Sequence, residues 1–218
     1  MKQFAVIGCG RFGSTIAKTL CSLGHEVLAI DADEEKVQDI SEYVTHAVQA
    51  DVTDENVLVE LGIRNFDVVI VSISSNYEAS IMATLIAKEL GVKKVIAKAH
   101  DTIHGKVLSK IGADRIIYPE RDMGVRVAHN LVSSNILDFI ELSSDYSILE
   151  ITALDQWADK TLKELALPTK YGINVMAIKR GKRINVSPYA DDVIDKGDIL
   201  VVIGSTKDIE KIEKSVGE

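Results

Sequence analysis

The chain has 218 residues, 46% of them hydrophobic and 27% charged, which is enough to bury a real core and ordinary for a soluble globular protein. A formal net charge of −8 offers no basic stripe to neutralise phosphates, which excludes general nucleic-acid binding. No run approaches the ~18 to 20 apolar residues of a membrane span, and the only two cysteines, Cys9 and Cys21, read as apolar fillers in a reducing, cytoplasmic compartment.

Phe4–Ile7 is apolar and rich in β-branched residues, the pattern of a buried strand. Gly8, Gly10 and Gly13 follow it. In that order they suit a tight turn, a close approach of backbone to phosphate, and close packing of the next helix. That helix runs from about Arg11 to Leu23 and stops at Gly24. Glu26–Ile30 is the second strand, and Asp31 lies at its tip, 18 residues past Gly13, where a carboxylate can accept from ribose hydroxyls. Asp33 caps a helix over Glu34–Glu42, and Ala47–Gln49 forms a short third strand. A helix from Thr53-Asp54-Glu55 to Leu61 leads to Phe66–Ser72, a near-continuous apolar strand of the kind found at the centre of a parallel sheet. Helix Asn76–Leu90, strand Lys94–Lys98, helix His100–Ile111 and strand Arg115–Tyr118 complete six strands with intervening helices. The spacing predicts a doubly wound, Rossmann-like α/β domain over residues 1–118.

After Pro119 the pattern changes. Arg121 to about Phe139 predicts one long helix carrying Met123, Val127, Leu131, Ile136 and Leu137, so residues 119–142 are expected to form a crossover helix. Short strands then follow at Asp138–Leu142, Tyr146–Ile151, Ile173–Lys179, Arg183–Val186 and Ile199–Gly204, with helices at Leu162–Leu165 and Lys207–Val216. Residues 143–218 are therefore expected to form a small α+β domain.

Several side chains gather at the expected crevice. Arg11, just past the second glycine, would place a guanidinium beside the diphosphate position, or simply sit in solvent. Cys9, between the glycines, and Phe12 belong to the same turn. Asp31 repels a 2′-phosphate, which disfavours NADP; Ala32, Asp33 and Lys36 flank it. Two readings stand for Asp51, followed by Val52: it faces the adenine edge, or it caps the next helix. Ser72, Ile73 and Ser74 end the fourth strand at the crevice and Lys98 ends the fifth. Glu120 either binds a cation attached to a phosphate or is an ordinary acid at a helix N-terminus; the residues alone favour the second. His100 and His104 share helical spacing but lack a third ligand for zinc. No nucleophile–histidine–acid arrangement and no Walker A pattern is present.

Gly8-x-Gly-Arg-Phe-Gly13, Ile30-Asp-Ala-Asp33, Ala50-Asp51-x-Thr-Asp54, Val107-Leu-Ser-Lys-Ile-Gly-Ala-Asp114 and Tyr118-Pro-Glu-Arg-Asp-Met123 together resemble the RCK (KTN) family, and within it the cytosolic regulatory subunits of bacterial Ktr-type potassium uptake systems. Lys170–Gly181 and Val186-Ser-Pro188 resemble that family's C-terminal module. The resemblance implies a non-enzymatic homo-oligomer, dimers closing into an octameric ring beneath an integral-membrane potassium-translocating subunit. ATP against ADP would change the ring's shape and gate transport; NAD(H) binding also occurs within the wider family. It assigns phosphate contact to Arg11, ribose contact to Asp31, and the divalent or monovalent cation at the γ-phosphate to Glu120. In some relatives the C-terminal module takes cyclic di-AMP, and the matching positions are Ile173, Ile178, Lys179, Arg180, Asn185 and Pro188. The competing reading is an NAD-dependent oxidoreductase.

Overall fold

The computed structural model describes residues 1–132, 136–143, 145–205, 207–209 and 211–212. They fall into two units, Met1–Arg121 and Asp122–Glu218.

In the first unit the elements are β1 (Gln3–Ile7), α1 (Arg11–Ser22), β2 (Glu26–Asp31), α2 (Glu34–Ser41), β3 (His46–Gln49), α3 (Glu55–Glu60), β4 (Val68–Val71), α4 (Tyr77–Glu89), β5 (Val95–Lys98), α5 (Thr102–Lys110) and β6 (Arg115–Ile117). The strands form one parallel sheet in the order β3-β2-β1-β4-β5-β6, whose direction of growth reverses between β1 and β4. Alternate residues of the central strands face opposite layers. Ala5 and Ile7 pack with Leu58 of α3, Ile86 of α4 and Leu108 of α5, while Val6 packs with Ala17 of α1 and Ile40 of α2. Ile7, Ile30, Leu58 and Leu108 are completely buried, and each such side chain contributes roughly 1.5–3 kcal/mol.

Register decides what meets at the sheet's C-terminal edge. Ile7 stands opposite Ile30 on one side and Val71 on the other, so the residues that follow, Gly8, Asp31 and Ser72, emerge at one level. Ala97 stands opposite Val71, which brings Lys98 to the same edge.

The predicted long helix is shorter than expected. Helix α6 covers Pro119–Val132, and Ile136–Glu141 is a strand, β7, not helix as far as Phe139. Ile136 and Leu137 continue the helical spacing on paper, but pairing with the next strand overrides it. That strand, β8 (Tyr146–Thr152), leads to β9 (Lys160–Thr161), α7 (Leu162–Leu165), α8 (Leu167–Tyr171), β10 (Ile173–Arg180), β11 (Arg183–Asn185), β12 (Val193–Ile194) and β13 (Ile199–Ser205). The larger sheet is antiparallel in the order β11-β10-β13-β8-β7, and β9 pairs separately with β12. Buried and less buried residues alternate along β8 and β13, and the buried face covers Trp157, Leu165 and Leu167. Lys207–Asp208–Ile209 is helical, as expected there; the rest of the helix predicted to Val216 lies largely outside the described residues.

Candidate functional site

The cleft opens where the sheet order reverses. It encloses about 700 Å³ and is walled by the turn after β1, the tips of β2 and β3, and the segment joining β4 to α4.

Two of the three glycines, Gly8 and Gly13, have the turn and packing roles that the spacing predicts. Gly8 has φ +97°, a left-handed conformation that any Cβ would strain, and its N–H donates to the Ile30 carbonyl at 2.8 Å. A Cβ on Gly13 would lie 1.9 Å from the Gly8 carbonyl oxygen and 2.3 Å from Ser72 Oγ, so α1 packs directly on the turn. A Cβ on Gly10 would meet nothing within 4 Å. This middle glycine faces open space at the N-cap of α1, whose first turn has no side-chain cap. Uncapped N–H groups and the positive end of the helix dipole are what a phosphate requires.

Asp31 is mostly buried, and both of its oxygens are fixed. Oδ2 accepts the Cys9 N–H at 2.7 Å; Oδ1 accepts the Asp33 N–H at 3.0 Å and lies 3.6 Å from Lys36 Nζ. Lys36 also reaches Asp33 Oδ2 at 3.2 Å, and that hydrogen bond draws the Asp33 carboxyl below its ordinary range. Asp33 caps α2 by accepting from Glu35 N. Cys9 contributes its backbone. Its thiol is buried and, chiefly through desolvation, pushed up to about 12, so it stays protonated.

At the tip of β3, Asp51 accepts from both the N–H and the hydroxyl of Thr53, which hold its carboxyl low. The cap of α3 is Asp54, so Asp51 does not cap that helix; it shapes the loop that lines the cleft with Val52. Ser72 is buried, and its hydroxyl donates to the Gly8 carbonyl at 2.5 Å. Its side chain holds the glycine turn against β4, while Ile73 and Ser74 line the cleft.

A second group lies beside Ser74. Lys98 is 5% exposed, and its ammonium donates to Ser74 Oγ at 2.9 Å and to Glu120 Oε1 at 2.5 Å, with the Phe12 ring centroid 5.7 Å away. That hydrogen bond lowers the Glu120 carboxyl below its usual range. Arg11, the first residue of α1, is exposed and pairs with no carboxylate among the described residues. Among those residues no three His, Cys, Asp or Glu cluster as a metal site. Glu120 therefore stands as one carboxylate with an oxygen already engaged by Lys98. His100 and His104 pack around the Tyr77 ring rather than converging on an ion.

Of the expected residues, Gly8, Gly10, Asp31, Ala32, Asp33, Lys36, Asp51, Val52, Ser72, Ile73 and Ser74 line the cleft. Cys9 and Gly13 support its turn, Lys98 and Glu120 adjoin it, and the Phe12 ring lies beside the Lys98 ammonium. Sequence reasoning missed Thr53, Ser75, Asn76 and Glu78. Asn76 was legible as the cap of α4, where its side chain accepts from Ala79 N at 3.0 Å.

The six positions matched to a cyclic dinucleotide lie in the second unit. Ile173 and Ile178 are buried in its core. Lys179 pairs with Glu150, and Arg180 grips the buried Asp198 through Nε at 2.9 Å and a terminal nitrogen at 2.7 Å. Asn185 donates to Asp192 Oδ2 at 2.9 Å, and Pro188 is partly exposed. Every polar member of this set has an internal partner.

Two family models match the chain, the TrkA-N domain over residues 4–119 and the TrkA-C domain over 147–217. The chain is 56% identical to the Ktr system potassium uptake protein C of Bacillus subtilis, covering 99% of this chain and 97% of that one. It is 43% identical to the Ktr system potassium uptake protein A of Vibrio alginolyticus, covering 93% and 92%. Among solved structures it superimposes on the GsuK RCK domain with TM-score 0.69 at 20% identity, and on the GsuK channel bound to NAD with TM-score 0.70 at 19% identity. Both cover 100% of this chain but only 48% and 40% of those longer chains, and at that identity they establish the fold alone.

Proposed function

The chain belongs to the TrkA-N/TrkA-C family that includes the Ktr system potassium uptake proteins, and from that premise we propose that it is a regulatory subunit of potassium transport that binds an adenine nucleotide in the cleft of its first unit. The observation that carries this reading is the frame made by Gly10 and Asp31. An open, uncapped helix start for phosphates and an anchored acid for ribose are tied together through the Cys9 N–H.

In this reading the glycine turn and the first turn of α1 take the diphosphate, Asp31 accepts from the ribose hydroxyls, and Val52 and Ile73 border the base. Arg11 and Lys98 are the cations available to a terminal phosphate. ATP and ADP then differ in the charge-assisted hydrogen bonds they can form, and such differential contact is what a ligand needs to shift a conformational equilibrium. The membrane partner is an integral potassium-translocating subunit, and the regulatory subunits act as an oligomer, the octameric ring of the resemblance. Docking on the cytoplasmic side follows from such a partner. Among the described residues no helix is long and apolar enough to cross a membrane. The role is regulatory rather than catalytic, and NAD(H) is the second nucleotide to try, since the GsuK channel has been solved with NAD. Cyclic di-AMP is the candidate ligand of the second unit, where Arg180 is already engaged with the buried Asp198.

Calorimetric titration with ATP, ADP and NADH, repeated on Arg11→Ala, tests the reading. Binding of ATP and ADP, with the preference between them reduced in Arg11→Ala, supports it. Tight NADH binding without any response to adenine nucleotides, together with hydride transfer to a carbonyl substrate, returns the chain to the oxidoreductases.

A further inference from the structure

We propose that the edge of the parallel sheet where β4, β5 and β6 begin is a docking surface for the headgroups of anionic phospholipids. The inference stands on the placement of charge and is independent of the nucleotide reading, since the cleft opens where the strands end.

Charge is divided unevenly within the first unit. Residues 1–62 hold four lysines and arginines against eleven aspartates and glutamates, whereas residues 63–121 hold nine against six. Strand order turns this division in sequence into one in space, because β1 to β3 fill one half of the sheet and β4 to β6 the other. A chain of net charge −8 thus carries a basic end.

The cations of that end gather at the strand starts. Arg64 lies in the turn just before β4, Lys93 and Lys94 precede β5, and Arg115 opens β6. Lys110 is the last residue of α5, the helix that returns the chain to this edge. All five are exposed, and none pairs with a carboxylate among the described residues. Register keeps them close, with Val69 opposite Val95 and Ile96 opposite Arg115. Neighbouring strands are about 4.8 Å apart, so the three starts span roughly 10 Å. Two acids of this edge are turned to backbone amides. Asp67 accepts the Gln3 N–H at 2.9 Å, and Asp114 accepts the Val95 N–H at 2.6 Å while pairing with Lys88 at 3.0 Å. Glu89, at the end of α4, is an exposed acid beside them.

The form of the patch selects the partner. Long flexible cations on adjacent strand starts make a diffuse array without fixed spacing, which suits a fluid layer of headgroups better than one folded ligand. Clusters of about four to eight lysines and arginines are what an anionic leaflet attracts. The acidic half does not prevent this. β2 lies three strands from β5, roughly 14 Å away, which exceeds the Debye length of ~10 Å at 0.1 M salt. At that ionic strength an anionic surface meets the basic end and is largely screened from the rest.

The test is flotation of the intact protein with vesicles of phosphatidylglycerol and phosphatidylcholine in equal parts, and with phosphatidylcholine alone, at about 0.1 M salt. The variants are Lys93→Gln/Lys94→Gln/Arg115→Gln and, as a control of equal charge in the second unit, Lys163→Gln/Lys170→Gln/Lys182→Gln, all at exposed positions. Wild type should float with the anionic vesicles only. The first variant should bind them at least about tenfold more weakly, and the control should bind like wild type. Equal flotation with phosphatidylcholine, an unaffected first variant, or an equal loss in the control overturns the proposal. So does wild type that ignores both vesicles, and binding of a polyglutamate peptide through Lys93 and Lys94 would then assign the edge to an acidic protein instead. Titration of the same preparations with ADP reads the cleft separately, so failed flotation beside normal ADP binding rejects the membrane surface alone.

Discussion

The backbone N–H of Cys9 donates to Asp31 Oδ2 at 2.7 Å, across 22 positions of sequence. The acid proposed to face ribose and the turn proposed to face phosphate are therefore tied directly to each other. Replacing Asp31 by Ala removes both a ligand contact and the acceptor for a partly buried amide. A loss of about 1–3 kcal/mol in stability is expected, along with loss of preference for ADP over a 2′-phosphorylated analogue. Thermal melts and competition titration read the two effects separately.

Gly10 and Gly13 separate binding from folding. Inside an exposed helix, Gly to Ala normally stabilises by about 1 kcal/mol. At Gly13 the sign reverses, because the added Cβ would collide with the Gly8 carbonyl oxygen and Ser72 Oγ. Gly13→Ala should cost about 1–3 kcal/mol or more in denaturant melts. Gly10→Ala has open space around it and should melt like wild type, while nucleotide affinity falls at least tenfold as the methyl meets the phosphate.

Acid should loosen the second unit through Asp198. The Arg180 guanidinium holds that buried carboxyl below its usual range. A depressed folded-state value means the stabilisation is complete above the ordinary carboxylate range and is lost as the pH falls through and below it. Asp198→Asn should therefore lower stability by about 1–3 kcal/mol at pH 7 and flatten the dependence between about pH 5 and 3. Chemical denaturation across that interval measures both. An unchanged acid slope would show that the pair contributes nothing there.

Ala166 sits between α7 and α8 with φ 46° and ψ 43°, a left-handed conformation that costs a residue with a Cβ about 1 kcal/mol. Ala166→Gly should raise the melting temperature by a few degrees despite the greater freedom glycine brings to the unfolded chain. A lower melting temperature would mean that the methyl group packs more profitably than its backbone is strained.

What could be read in the sequence followed the range of the interactions concerned. The glycines, Asp31 and the cap at Asp33 depend on residues within one βαβ unit, and their spacing was informative. Asn76, Glu78 and Thr53 reach the cleft only because β4 lies next to β1 and β3 next to β2, a matter of strand order that no local pattern encodes. Lys98 and Glu120 were each singled out, yet their pairing follows from the packing of β5 beside β6. Ser72 was placed correctly at the crevice, but burial commits its hydroxyl to Gly8 rather than to a ligand. The end of α6 was misread because helical spacing persists through Leu137 while the chain has already become a strand, and the two-residue strands β9 and β12 are too short to show any period.

The open margins of the two sheets differ in a way that bears on handling the protein. The parallel sheet ends in β3 and β6, four and three residues long, and β11 on the second sheet has only three. Short margins of this kind offer little template to a foreign strand. The other margin, β7, runs for six residues and exposes Leu137 and Ile140. A preparation that is overconcentrated or partly unfolded is expected to begin aggregating there, and a lysine at position 140 is the economical way to keep it in solution.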